Sequence, residues 1–159
     1  MKKIIFFCAT LFCLSVADAK VTMPKLFQAG MVVQRGKLIP VWGNADAGET
    51  VTVRFNKKEY QTTADADGRW RVDLPKMKAG GPYQLTVNDQ TIDNILVGDV
   101  WLLSGQSNID VTIERVYPQY TQEIDNYENN EIRLFRVQNE TSTHGVKEDI
   151  RHTNINWNL

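Results

Sequence analysis

The residues best suited to chemistry in this 159-residue chain are Ser104-Gly105-Gln106-Ser107-Asn108. They follow Asp99-Val100-Trp101-Leu102-Leu103, a short, nearly continuous apolar run that fits a strand buried on both faces, as in a parallel sheet covered by helices. A serine placed just after such a strand, at the start of a helix, lies at the carboxyl edge of a sheet, where open α/β folds bind ligands. Its hydroxyl can attack a carbonyl carbon, while its own N–H and the helix dipole face the developing oxyanion. Gly105 lets the chain turn tightly and lets a substrate approach. The structural alternative is a serine that simply caps a helix. A serine nucleophile also needs a general base within about 3 Å. Only His144 and His152 are available. Asp149-Ile150-Arg151-His152 has Asp-x-x-His spacing, but a single convincing strand separates it from Ser107, so His152 reads as a solvated loop residue and His144-Gly145 as a turn.

The surrounding text carries more. Gly98-Asp99-Val100-Trp101-Leu102-Leu103-Ser104-Gly105-Gln106-Ser107-Asn108 closely resembles the nucleophile block of the sialate O-acetylesterase family. Similar stretches are Leu26 to Arg35, Ile39-Pro40-Val41-Trp42-Gly43, Ala64 to Trp70, Met77 to Tyr83 and Asn130 to Phe135, so the resemblance covers residues 24–137 in order. It implies an SGNH-type hydrolase that removes acetyl esters from sialic acids or other acetylated glycans. It further implies that Ser107 is the nucleophile, that its N–H contributes to the oxyanion hole, and that Gly105, Gln106 and Asn108 adjoin it as oxyanion or substrate-binding residues. The reaction would pass through an acetyl-enzyme, with a histidine base oriented by an aspartate and with no metal or organic cofactor. Two departures stand out. Ile109-Asp110 replaces the family's Met-Glu, and the second oxyanion block and Asp-x-x-His block lie far downstream in the family, whereas this chain ends at Leu159.

The elements that must position Ser107 divide at residue 97. From Lys20 to Val97 the text alternates strand and turn. Val51, Val53 and Phe55 face opposite to Thr52 and Arg54, and Trp70, Val72 and Leu74 face opposite to Arg69, Arg71 and Asp73. Turn signals at Ala29-Gly30, Ala47-Gly48, Asp65 to Gly68 and Ala79 to Pro82 separate the runs. Asp67-Gly68 predicts a hairpin joining Tyr60–Ala64 to Arg69–Leu74. The expectation is a β-sandwich, immunoglobulin-like or jelly-roll-like, over 20–97. Residues 98–159 read as the beginning of an α/β SGNH-type domain that is truncated: strand 99–103, a doubtful helix over 109–129 interrupted by Pro118, and strand 131–137. Asp65 and Asp67 read as turn residues, not a calcium loop. Trp42, Trp70 and Tyr83 read as core aromatics, with a sugar-stacking platform as the alternative.

Residues 1–19 have the three parts of an export signal: Lys2 and Lys3, the apolar run Ile4 to Val16, and Ala17-Asp18-Ala19 as a cleavage site. The run is shorter than the roughly 20 residues that span a bilayer, so no stable membrane anchor is expected and the mature chain would begin at Lys20, periplasmic or extracellular. Both cysteines, Cys8 and Cys13, lie within this segment, which leaves the mature chain without a thiol nucleophile, thiolate metal site or disulfide. Apolar residues form 42% and charged residues 23% of the chain, a globular composition. Without Lys2, Lys3 and Asp18, the 18 basic and 19 acidic residues become 16 and 18, a net charge of −2 that offers nothing to nucleic acid. Two functions fit: the N-terminal portion of an exported carbohydrate O-acetylesterase, inactive by itself, or an exported non-catalytic β-sandwich module with a vestigial esterase tail. Oligomeric state, sugar and acetyl position are not encoded in these patterns.

Overall fold

A computed structural model describes residues 21–125, 129–137, 143, 145–147, 149–150 and 157, with Asp110 described in its backbone only. Residues 1–19, where the export signal is expected, and His144 and His152 lie outside the described residues. Seven strands appear in chain order: β1 Val32–Gln34, β2 Ile39–Asn44, β3 Thr50–Phe55, β4 Lys58–Thr63, β5 Arg69–Leu74, β6 Gly80–Val87 and β7 Gln90–Gly98. They form a five-stranded mixed sheet ordered β1-β7-β6-β3-β4 and a two-stranded antiparallel sheet of β2 and β5.

The period-two patterns settle which faces are buried. Val51, Val53 and Phe55 of β3 are buried, as are Trp70, Val72 and Leu74 of β5, while their alternate residues are more exposed. Both sheets contribute to one apolar cluster that also takes in Val41, Leu85, Val87, Ile95 and Val97. Tyr83 lies over Phe55 with ring centroids 5.5 Å apart. Trp70 is a core residue, whereas Trp42 is partly exposed and packs edge-on against Phe27 at 4.9 Å.

The Asp67-Gly68 turn forms, but the hairpin expected across it does not. Asp65 Oδ1 accepts the N–H groups of Asp67 and Arg69, each at 2.9 Å, and Gly68 takes φ +76°. The strands on either side then enter different sheets: β4 pairs with β3, and β5 pairs with β2. The reason is the close approach of Gly68 to Ala45, whose N–H donates to the Gly68 carbonyl at 2.8 Å and draws β5 towards β2. A Cβ at Gly68 would stand 2.6 Å from the Ala45 oxygen. The true hairpin joins β3 and β4 through Asn56 and Lys57, both at positive φ, the pattern of a type I′ turn.

β1 runs parallel to the end of β7, with Val32 opposite Leu96 and Gln34 opposite Gly98. Beyond Gly98 the expectations fail in part. Residues 99–103 form no strand and pair with nothing as a ladder; Trp101 is 82% and Leu102 92% exposed. A doubly buried strand requires partners on both edges and covers on both faces, and the described residues supply neither. The doubtful helix resolves into short pieces, α1 Ile113–Val116 and α2 Thr121–Ile124, separated by a 3-10 turn at Tyr117–Gln119 that contains Pro118. In the predicted strand 131–137, only Leu134 makes a bridge. No helix among the described residues is long and apolar enough to cross a membrane.

The placement of the core makes a contrast measurable. Leu85 is 1% exposed, so Leu85→Ala should cost about 2–5 kcal/mol in urea unfolding. Leu102→Ala should stay within about 0.5 kcal/mol of the parent. Equal effects at the two positions would show that the apolar cluster is not the source of stability.

Candidate active site

The serine-bearing segment is attached to the end of the β1–β7 pair. Arg35 donates its backbone N–H to the Gly98 carbonyl at 2.8 Å, and Arg35 Nε donates to Asp99 Oδ1 at 2.8 Å. Gln34 Oε1 accepts the Val100 N–H at 2.9 Å. The Arg35–Asp99 pair is half exposed on both sides, so its value is directional more than energetic. Residues 101–106 then run without regular structure into a single 3-10 turn, Ser107–Asp110, closed by the Ile109 N–H donating to the Gln106 carbonyl at 3.0 Å.

Ser107, Gly105, Gln106 and Asn108 are all exposed and adjacent in this turn. Gln106 is extended, at φ −91° and ψ −165°, and no side chain caps the turn. Two expectations are corrected here. A single 3-10 turn lacks the aligned peptides of a helix, so no macrodipole stands behind Ser107. Gly105 is not at positive φ, and a Cβ there would meet only the Ile109 Cβ at an ordinary 3.7 Å. Its glycine identity is therefore not demanded by the local backbone. Ser107 is not a cap either, and its hydroxyl has no hydrogen-bond partner among the described residues.

Of Asp149 and His152, which share Asp-x-x-His spacing without reading as a catalytic pair, Asp149 is described and is engaged elsewhere. Its carboxylate accepts the backbone N–H of Lys25 at 3.2 Å from both oxygens, and Oδ1 also accepts the Ile150 N–H at 2.7 Å. Further along, Tyr117 donates its hydroxyl to Asp125 Oδ1 at 2.6 Å, and this bond to the carboxylate, with a lesser contribution from burial, raises its pKa above the usual phenol value. Among the described residues no group of three His, Cys, Asp or Glu side chains is placed to hold a metal ion.

Sequence reasoning missed Arg133. Its Nη1 donates to the Gly30 carbonyl at 2.8 Å and to the Asn94 carbonyl, and its Nη2 donates to Asn94 Oδ1 at 2.8 Å. Burial lowers its pKa from the ordinary guanidinium value. Between Ile132 and Leu134 it reads as an outward-facing strand residue, and its acceptors, two carbonyls and the Asn94 side chain, lie 39 or more residues away in sequence.

Against this geometry, the comparisons with known proteins agree with one another. No protein-family profile matches the chain. Sialate O-acetylesterase of Pongo abelii is 32% identical over 136 residues, 74% of this chain and 25% of the relative. The human sialate O-acetylesterase is 36% identical over 102 residues, 54% of this chain and 19% of the relative. A solved carbohydrate acetylesterase from Xanthomonas citri superposes with a TM-score of 0.72 at 32% identity, covering 87% of this chain and 32% of that one. The chain is sialate O-acetylesterase-like in sequence and acetylesterase-like in fold. It spans about a quarter of the length of the curated relatives it matches.

The structural alternative for Ser107 has a direct check. A serine whose hydroxyl caps nothing should tolerate replacement, so Ser107→Ala should leave the urea midpoint unchanged within about 0.5 kcal/mol. A loss near 1 kcal/mol, typical of a removed helix cap, would favour a structural role.

Proposed function

We propose that this chain is the N-terminal part of an exported carbohydrate O-acetylesterase in which Ser107 is the nucleophile. The observation that carries the reading is the Ser104–Asn108 block, displayed on an exposed turn at the end of the β1–β7 pair, in a chain 32% identical to a carbohydrate acetylesterase of the same fold. The Ser107 oxygen would attack the acetyl carbonyl carbon while a histidine takes its proton. The proton would pass to the departing sugar oxygen, and water would then release acetate from the acetyl-serine. The Ser107 N–H, with the polar groups of Gln106 and Asn108, is proposed to receive the carbonyl oxygen, with Gly105 leaving the approach open. Sialic acid carrying O-acetyl groups is the proposed substrate, and no cofactor enters the scheme.

We read residues 20–97 as a β-sandwich that carries the start of an SGNH-type hydrolase domain over 98–159, and residues 1–19 as its export signal. The cluster shared by the two sheets supports the sandwich. Residues 1–159 alone are proposed to be a poor esterase, because an exposed serine hydroxyl without a hydrogen-bonded base remains protonated and weakly nucleophilic. The non-catalytic module is favoured by one feature, the confinement of the apolar core to the β-rich part.

Kinetics on the protein with its full hydrolase domain decide between the two. Ser107→Ala should lower kcat by at least about 10³-fold on an acetylated sugar, with circular dichroism unchanged. Ser104→Ala, on the near side of Gly105, should retain much of the activity. Near-normal kcat in Ser107→Ala would leave the family likeness as a likeness of fold only.

A further inference from the structure

We propose that Arg133 is an arginine-specific latch that fastens the segment after Gly98 onto the β1–β7 edge, closing the stretch that carries Ser107 into a loop anchored at both ends on one strand pair. The inference is independent of the chemistry assigned to Ser107.

The receptor for the guanidinium is built by the β-rich part of the chain. Asn94, within β7, lies at φ +59°, a left-handed conformation that asparagine tolerates better than most residues. In that conformation its carbonyl and its side-chain oxygen both face the same guanidinium. Gly30, just before β1, adds a third acceptor. All three are uncharged oxygens, so the attraction is charge-assisted hydrogen bonding, whose strength depends on direction. A planar fork with donors on two nitrogens fits three fixed acceptors; a lysine ammonium concentrates its donors at one point and does not.

Neighbouring contacts extend the docked surface along residues 25–30. Trp157 Nε1 donates to the Leu26 carbonyl at 3.2 Å, Phe135 packs against Trp157 with centroids 5.1 Å apart, and Asp149 takes the Lys25 N–H. Gly30 is at φ +88°, and a Cβ there would come within 3.3 Å of the Trp157 Cβ. Its small size admits the docked segment. The second anchor, formed by Arg35–Asp99 and Gln34–Val100, lies at the other end of β1. Gly30 and Arg35 lie on either side of the three-residue strand β1, so the two anchors bracket one short strand. The whole serine-bearing stretch leaves and returns over that span.

The test is the initial rate of chymotryptic cleavage after Phe135 in the full chain, with thermal unfolding as the control for the β-rich part. Arg133→Ala should speed this cut about tenfold or more, and Arg133→Lys should speed it nearly as much. Asn94→Gly, which keeps the left-handed backbone and the carbonyl but removes Oδ1, should give a smaller rise of about three- to fivefold. Unchanged cleavage in Arg133→Ala, or parental behaviour in Arg133→Lys, would overturn the proposal. If Arg133→Ala unfolds the β-rich part as well, Asn94→Gly decides: a parental rate there rejects the latch.

Discussion

The parallel pairing of β1 with the end of β7 is the constraint on which the rest of the arrangement depends. β1 is only three residues long, and its register sets Val33 against Val97 and Gln34 against Gly98. That register brings Arg35 to Asp99 and Gln34 to Val100, so the chain leaves the sheet in a defined direction. At the other end of β1, the Gly30 N–H donates to the Asp93 carbonyl and the Leu96 N–H to the Met31 carbonyl. These bonds hold Gly30 beside Asn94, where both meet Arg133. A slip of β1 by one residue would turn Val33 away from the core and dismantle both attachments together.

Stability and chemistry are segregated along the chain. The buried apolar cluster draws on strands β2, β3, β5, β6 and β7 with Val21, Met31 and Ala64, and no polar residue among the described residues is buried with it. The later stretch exposes Val100, Trp101, Leu102, Leu103, Ile109 and Ile113. At roughly 25 cal/mol per Å² of apolar area, covering such a row is worth several kcal/mol, so any element that buried it would be strongly favoured. A contiguous exposed apolar row of this kind is a surface for packing, not a solvent-adapted loop. Its hold on the β-rich part comes from directional polar contacts at the two ends of β1 and along residues 25–30, where Trp157 also packs against the cluster.

What was legible in the sequence follows from how local each signal is. The alternation in β3 and β5 reads correctly because burial of one sheet face acts on every second residue. The Asp65–Gly68 turn was legible too, since an aspartate accepting nearby N–H groups and a glycine at positive φ are local facts. Strand partnership was not. The bond from Ala45 to Gly68 that diverts β5 to β2 links residues 23 apart, and nothing in either residue type announces it. The Asn56–Lys57 hairpin was concealed for a different reason: lysine at φ 62° breaks the Asn-Gly signature of a type I′ turn. At the candidate site the block Ser104–Asn108 was readable as a polar, glycine-containing turn, whereas the expected helix was not realised. β-branched Val111, Thr112 and Ile113, with Pro118 shortly after, divide the stretch into single turns.

The distinction between a site and a motif rests on that last point. A serine hydroxyl has ordinary alcohol reactivity until a base removes its proton and fixed donors receive the oxyanion, and both are properties of surroundings. In this chain the surroundings of Ser107 are a solvent-exposed 3-10 turn whose only internal closure is the Ile109 to Gln106 bond. The turn's direction is nonetheless constrained, because the chain is held on β1 before it and again at Arg133 after it. Ordering a loop costs conformational entropy for each residue held, and fixing its two ends removes part of that cost before any further packing occurs. Under the proposed function the β-rich part would act on the chemistry indirectly: it narrows the positions Ser107 can occupy, and the groups that would activate the hydroxyl would then have a smaller volume to meet it in.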